Sequence, residues 1–160
     1  MRIRNLVAGV AVLIAVVALA ATTAAQGKEA WVGTWKLNVA KSKYSPGPAP
    51  KSSTVTVAAA DGGISQTVDS APATGGPQHW TVTAKFDGKD VAVKGNPNAD
   101  TMAFKKFGER SYEVISKKGG KTMTTGRVVV SADGKTRTTS QVGTTADGKP
   151  LKNMLVYERQ

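Results

Sequence analysis

The stretch HWTVTAKFDGK, residues 79–89, combines two local signals that decide how this chain folds. Apolar side chains occupy every second position from Trp80 to Phe86, and polar side chains occupy the positions between them. Successive side chains of a strand point to opposite faces, so this alternation predicts a β-strand with one buried face. Asp87 and Gly88 follow at once, and an Asp-Gly pair supplies the positive φ that tight hairpin turns require. The stretch therefore predicts a strand that ends in a hairpin turn.

The same two signals recur along the chain. Asp-Gly pairs also stand at 61–62, 133–134 and 147–148, and β-branched residues, which favour strands over helices, are frequent between them. Short strands without helices bury their apolar faces either as two stacked sheets or as a closed barrel, and closure also removes exposed strand edges. We therefore predict an all-β fold, a single antiparallel up-and-down β-barrel of about eight to ten strands. The predicted strands are Val32–Asn38, Ser53–Ala59, Ile64–Asp69, His79–Phe86, Val91–Lys94, Thr101–Phe107, Ser111–Lys117, Thr122–Val130, Thr136–Thr144 and Leu151–Arg159.

The start of the chain has the pattern of an export signal. Two arginines within the first four residues form a basic head, residues 6–21 carry no charge, and small residues follow up to Ala25. These are the three parts of a secretory signal peptide, whereas a membrane anchor needs about 20 apolar residues. We predict a helical signal peptide over residues 1–25, cleaved after Ala25, and one domain over residues 26–160 that is periplasmic or secreted.

The composition excludes several classes of chemistry. The 160 residues contain no cysteine and a single histidine, His79. Without cysteine there are no disulfides, no thiolate catalysis and no Cys-ligated metal sites, and one imidazole cannot form a multi-histidine site. The aspartates lie mainly in turns, and no Gly-x-Ser-x-Gly motif is present. We therefore predict that the protein is not an enzyme and that it holds no metal and no cofactor.

The chain is strongly basic, with 22 Lys and Arg against 11 Asp and Glu and a formal net charge of +11. Such a charge attracts polyanions, and the lysines within 105–106 and 117–121 are candidates for a basic patch. Aromatic residues do not interleave with these lysines as they do on platforms for single-stranded nucleic acids. We expect weak contact with anionic envelope surfaces, no nucleic-acid partner and a monomer. The alternative is that the lysines only protect strand edges from association.

Both ends of the domain resemble one superfamily. Gly33 and Trp35 form a Gly-x-Trp motif near its start, and residues 156–159, Val-Tyr-Glu-Arg, resemble the last strand of intracellular fatty-acid-binding proteins. Together, on a predicted meander of ten strands, they resemble the lipocalin and fatty-acid-binding-protein (calycin) superfamily. The stretches 33–51 and 95–100 are also similar to a group of exported, largely uncharacterised lipocalin-like bacterial proteins.

The resemblance implies a structural role for the Gly-x-Trp motif. In the superfamily the glycine lets the first strand bend, and the tryptophan plugs one end of the barrel, often beneath an arginine or lysine of a late strand. Carried over to this chain, Gly33 is the bend and Trp35 is the plug. Arg159 or Arg137 is the cover over the ring.

The resemblance also shows departures at the ligand site. Fatty-acid-binding proteins hold a carboxylate with a last-strand tyrosine and an arginine two positions before it; Tyr157 matches the tyrosine, but Leu155 stands in place of the arginine. Leucine offers no guanidinium for bidentate carboxylate binding. Arg127 is then the remaining candidate if its strand face is inward, although a lone strand arginine more often faces outward. The superfamily's helical lid is missing too, because the Pro-rich stretch 40–51 joins the first two strands and predicts an irregular crossing.

These features predict an exported lipocalin-like barrel that binds a small, mostly apolar molecule in its interior, where Tyr157 and Arg127 are the polar groups. The alternative is a barrel filled by its own side chains, an envelope structural or interaction module with a basic surface. Lysines in most strands disfavour a membrane-spanning barrel. The predicted lining consists of Leu37, Phe86, Met102, Phe104, Tyr112, Arg127, Leu155 and Tyr157.

Overall fold

The computed structural model describes residues 29–160, and these residues form an all-β domain of ten strands. Each predicted strand is present, with its ends shifted by at most two residues, so the predicted fold class is confirmed. The predicted signal peptide, residues 1–25, lies outside the described residues. Residues 29–160 contain no helix with the length and apolar character of a membrane span. The strands are β1 (Gly33–Leu37), β2 (Ser52–Ala60), β3 (Gly63–Ala71), β4 (Gln78–Lys85), β5 (Val91–Ala92), β6 (Thr101–Gly108), β7 (Ser111–Lys118), β8 (Lys121–Val130), β9 (Thr136–Thr144) and β10 (Pro150–Arg159).

The ten strands form one antiparallel sheet in the order β4-β3-β2-β1-β10-β9-β8-β7-β6-β5. The first strand joins the last: Trp35 of β1 lies opposite Arg159 of β10 on one side and Val55 of β2 on the other. All other neighbours in the sheet are consecutive in the chain, which is the connectivity of an up-and-down meander.

The two ends of the sheet meet at a short seam between β4 and the β5–β6 region. Thr81 and Lys94 exchange backbone hydrogen bonds of 2.9 and 3.0 Å, and the N–H of Gly88 donates to the carbonyl of Phe104 at 2.9 Å. The seam has these few backbone contacts instead of a continuous ladder. The sheet is therefore a nearly closed barrel, which agrees with the predicted architecture.

Aromatic side chains fill one end of the barrel, which we call the floor. The fully buried ring of Trp31, just before β1, meets the rings of Phe86 and Tyr112 edge to face, with centroids 5.2 Å away in each case. Each fully buried aromatic side chain contributes on the order of 2–3 kcal/mol, and edge-to-face pairs add to this. The floor consists of Trp31, Trp35, Phe86, Phe104 and Tyr112.

The Pro-rich crossing between β1 and β2 is only partly irregular. Lys43 exchanges two backbone hydrogen bonds of 2.8 Å with Met154 of β10, so the chain continues the sheet beside β10 after β1 has ended. The next residue, Tyr44, packs against the core; burial raises the pKa of its phenol, and the neighbouring Tyr157 raises it further. The predicted irregular conformation holds for residues 46–50.

Candidate functional site

A cavity of about 640 Å³ occupies the barrel interior on the side away from the floor. Loop residues within 96–99, 118–121 and 144–148 border its far end, which we call the mouth. Strand β7 shows the direction, because it runs from Tyr112 in the floor to Lys118 at the mouth. Apolar side chains make up much of the wall, among them Val55, Val68, Met102, Val114, Leu151 and Leu155.

The charged side chains of the cavity wall are all cationic. Arg137 lies near the floor, and Lys118 and Lys121 lie at the mouth. Among the described residues that line the cavity, none is an aspartate or a glutamate. A concave surface of one charge sign with low-dielectric walls concentrates ligands of the opposite sign. The wall therefore favours a ligand that carries an acidic group.

Arg137 is the most unusual of these cations because its side chain is 4% exposed. One terminal nitrogen, Nη2, donates to the hydroxyl of Tyr112 at 3.2 Å, and the guanidinium lies 5.2 Å from the ring centroid of Tyr157. The Nε atom has no hydrogen-bond partner, and no carboxylate among residues 29–160 forms an ion pair with this guanidinium. Burying a charge without a counter-charge is expensive. The arrangement leaves this cation ready for an anionic partner.

Two further buried polar atoms of the cavity wall lack partners. Gln66 on β3 and Thr139 on β9 are 6% and 7% exposed, and neither Oε1 of Gln66 nor Oγ1 of Thr139 has a hydrogen-bond partner among the described residues. Thr139 follows Arg137 on the same strand face. Ser116 and Thr124, by contrast, hydrogen-bond each other across β7 and β8. Unsatisfied buried polar groups are rare in folded proteins. Three of the five such side-chain atoms among the described residues belong to residues that line this cavity, which favours a ligand with a polar group.

The predicted lining residues divide between the cavity and the floor. Met102, Leu155 and Tyr157 line the cavity. Phe86, Phe104 and Tyr112 belong to the floor, and Leu37 is buried in the apolar core beside it. Of the eight predicted residues, three therefore close the barrel below the cavity, and Leu37 is buried in the core without lining the cavity.

The predicted place of Arg127 in the lining is wrong. Arg127 is exposed on the outer face of β8, and its guanidinium lies 4.6 Å from the ring centroid of Phe107. Val128 and Val130 are buried on the inner face of the same strand, and alternation then places Arg127 outside. The cation of the barrel interior is Arg137 instead.

The predicted plug residues lie together at the floor. Arg159 covers the indole of Trp35 at 4.1 Å from the ring centroid, while the indole N–H donates to the carbonyl of Trp31 at 2.8 Å. Gly33 has a φ of +145°, and a Cβ at this position would lie 2.4 Å from Nη1 of Arg159. The glycine therefore gives the arginine room to reach over the ring.

The position of Arg137 follows from a signal that is present in the sequence. The Asp133-Gly134 turn joins β8 to β9, and in the resulting register Val130 lies opposite Arg137. Directly opposed residues of antiparallel strands share a face, so burial of Val130 also turns Arg137 inward. From the sequence, Arg137 was predicted only as an alternative cover for Trp35. The cavity residues that were not predicted include Gln66, Trp80, Ser116 and Thr139.

Strand order, near closure and an internal cavity define the class of this protein as an up-and-down antiparallel β-barrel. Among solved structures, the chain is similar to the S-type phycobiliprotein lyase CPES from Guillardia theta, with a TM-score of 0.48 and 10% identity over 82% of this chain and 89% of that chain. Neither a protein-family model nor a curated sequence matches the chain.

The comparison corrects the prediction that the protein is not an enzyme. The similar structure is that of a protein described as a lyase. Independently of that likeness, the lack of a catalytic motif in a sequence does not exclude an activity, because catalytic sites occur on many folds without a recognisable motif. At 10% identity the likeness transfers no reaction and no residue role to this chain. An enzymatic activity is therefore not excluded, and no catalytic residue is assigned among the described residues.

Proposed function

We propose that this protein binds a small amphipathic molecule inside the barrel, with the apolar body of the ligand in the cavity and an acidic group against Arg137. The observation that carries the proposal is the buried guanidinium of Arg137, whose Nε atom has no partner among the described residues.

The size and wall of the cavity support the apolar part of the proposal. Small-molecule sites measure roughly 300–1,000 Å³ and combine apolar walls with a few polar groups that orient the ligand. The cavity here, about 640 Å³, is within this range, and its apolar residues come from β2, β3, β4, β6, β7, β8 and β10. A cavity of this size gives no support to the alternative of a barrel filled by its own side chains.

The acidic part of the proposal follows from the surroundings of Arg137. A planar guanidinium binds a carboxylate through two parallel hydrogen bonds, and such bonds are stronger in a site shielded from water. Nε is one of the N–H donors of the guanidinium that can form such a pair of hydrogen bonds. The residues Tyr157, Gln66 and Thr139 line the same cavity. A bound carboxylate would supply the counter-charge that the protein itself lacks there.

We further infer that the barrel is an exported, lipocalin-like protein. The support for the lipocalin-like assignment is the Gly33–Trp35 motif under Arg159 on a meander barrel, and the support for export is the signal-peptide pattern of residues 1–25. The intact mass of the protein recovered from its producing cell tests the export step: removal of residues 1–25 is expected, and a full-length product would contradict it.

The binding proposal is tested by fluorescence titration of the purified protein. Trp80 lines the cavity, while Trp31 and Trp35 are fully buried in the floor, so a bound ligand is expected to change mainly the emission of Trp80. We expect micromolar binding of hexadecanoate and loss of the signal in Trp80→Phe. Arg137→Gln should weaken hexadecanoate binding about 10- to 100-fold, the effect of losing one charge-assisted hydrogen bond in a buried site.

Controls separate charge recognition from folding. Arg137→Lys keeps the charge without the planar fork and should give an intermediate affinity. Arg127→Gln, on the outer face, should leave binding unchanged. The methyl ester of the acid should bind wild-type protein and Arg137→Gln equally. Equal loss of acid and ester binding in Arg137→Gln, or no binding of either by the wild type, would overturn the proposal.

A further inference from the structure

Lys118 and Lys121 form a pair of like charges at the mouth of the cavity. Lys118 is the last residue of β7, Lys121 is the first residue of β8, and the two lie directly opposite each other across the Gly119-Gly120 turn. Like charges in directly opposed positions destabilise a strand pair. Both residues line the cavity, so the repulsion is concentrated where a ligand would enter.

The acidic groups near this turn are engaged elsewhere. Asp90 pairs with Lys117, whose Nζ lies 2.7 Å from its carboxylate, and Asp100 accepts a hydrogen bond of 2.7 Å from the N–H of Gly119. Asp147, on the next loop of the mouth, pairs with Lys149 at 2.8 Å. Within residues 29–160, no carboxylate lies within ion-pair distance of Lys118 or Lys121. The mouth thus holds two cations that lack a counter-charge.

The lysine pair and Arg137 stand at opposite ends of one cavity. Tyr112, whose hydroxyl accepts a hydrogen bond from Arg137, shares the inner face of β7 with Val114, Ser116 and Lys118. Lys118 lies six residue steps along the strand from Tyr112, a distance on the order of 20 Å. The apolar part of the wall therefore lies between two cationic ends.

We propose that the ligand is a long diacid: one acidic group binds Arg137 near the floor, and a second acidic group at the other end of the molecule binds Lys118 and Lys121 at the mouth. This inference rests on the proposed function and specifies the class of its ligand. An anionic membrane surface is the competing partner for the two lysines. The diacid is favoured because Lys118 belongs to the inward-facing row of β7 and both lysines border the cavity.

The test compares hexadecanedioate with its monomethyl ester, which has the same chain and a single acidic group. We expect the diacid to bind about fivefold more tightly, because ion pairs at an exposed position contribute little each. The double substitution Lys118→Gln and Lys121→Gln should remove this advantage, so that the diacid and the monoester bind the variant with equal affinity. Lys89→Gln, an exposed lysine remote from the cavity lining, is the matched control and should retain the advantage. Added salt should reduce the advantage in the wild type.

The possible outcomes separate this inference from the proposed function. If both compounds bind with equal affinity and the lysine substitutions change neither, the second acidic subsite is excluded while the binding function stands. If neither compound binds, the proposed function itself fails. If the double substitution weakens only the retention of the protein on vesicles of anionic phospholipid, the lysines serve a membrane surface and the diacid inference is wrong.

Discussion

At the scale of single residues, Arg137 and Arg159 show the same guanidinium in two environments. Arg159 has partners on all three nitrogens: Nε donates to the carbonyl of Gly134 at 2.6 Å, and Nη1 and Nη2 donate to the carbonyls of Val32 and Ala30 at 2.8 and 2.6 Å. Within residues 29–160, the guanidinium of Arg137 has one hydrogen bond, and its Nε has no partner. A partly buried cation whose donors all have partners stabilises the fold, whereas a buried cation with an unpartnered donor offers binding energy to a ligand.

We expect Arg159→Ala to lower the free energy of unfolding by about 3 kcal/mol or more, because it removes three hydrogen bonds from a charged donor and the stacking on Trp35. Arg159→Lys should recover part of this loss, since an ammonium lacks the planar fork. Urea unfolding curves provide the measurement. Arg127→Ala is the matched control, with an expected loss of about 1 kcal/mol or less for an exposed cation–π contact. Similar losses for Arg159→Ala and Arg127→Ala would contradict the role of Arg159 as the cover of the floor.

At the scale of the element, the β9–β10 hairpin carries an acid-sensitive part of the mouth. Hydrogen bonds from Lys149 and, to a smaller extent, from Thr145 together lower the pKa of Asp147 to about 2. Because the pKa in the folded state is below the usual value of 3.8, the carboxylate stabilises the hairpin above about pH 4 and loses this effect as the pH falls towards 2. Thr145 and Gly148 border the cavity, so acid should loosen the mouth before it affects the floor.

An NMR titration of the Asp147 carboxyl carbon checks this expectation. We expect a midpoint near 2 in the wild type, a midpoint closer to 3.8 in Lys149→Ala, and a smaller upward change in Thr145→Val. High salt should also raise the midpoint, because the Lys149 pair is exposed. A wild-type midpoint at 3.8 would show that the ion pair does not persist in solution.

At the scale of the whole molecule, the barrel is divided into a packed half and an open half. The floor has buried aromatic rings in contact with one another, whereas strand ends and loops form the mouth around a cavity of about 640 Å³. Local stability follows the density of buried apolar contacts, so openings of the structure should begin at the mouth. A ligand can then enter without unfolding the floor.

Native-state hydrogen exchange tests this division. Amides of β1 and of the floor ends of β7 and β10 should exchange only through global unfolding, and amides of residues 96–99, 118–121 and 144–148 should exchange much faster. Addition of hexadecanoate should slow exchange at the mouth in the wild type and have a weaker effect in Arg137→Gln. Uniform protection from floor to mouth would contradict the division of the barrel into two halves.

Local patterns in the sequence determined the strands and turns of this protein. The alternation of side chains along the chain and its turn residues, the Asp-Gly pairs among them, place all ten strands within two residues of their observed ends, because side-chain period and positive φ are properties of the local chain. The Gly33–Trp35 motif likewise points to the residues that lie under Arg159.

Only the tertiary structure decided which face of each strand is inward and how deep each inward residue lies. Alternation shows which residues of β8 share a face, but it does not show which of the two faces is buried. Arg127 was therefore assigned to the interior, whereas the buried arginine of the cavity wall is Arg137. Depth is also non-local: Phe104 and Tyr112 close the floor because Trp31, from another part of the chain, packs on Tyr112. Lys118 and Lys121 meet the same cavity as Arg137 only after closure of the sheet, since contacts between distant strands create the enclosed space.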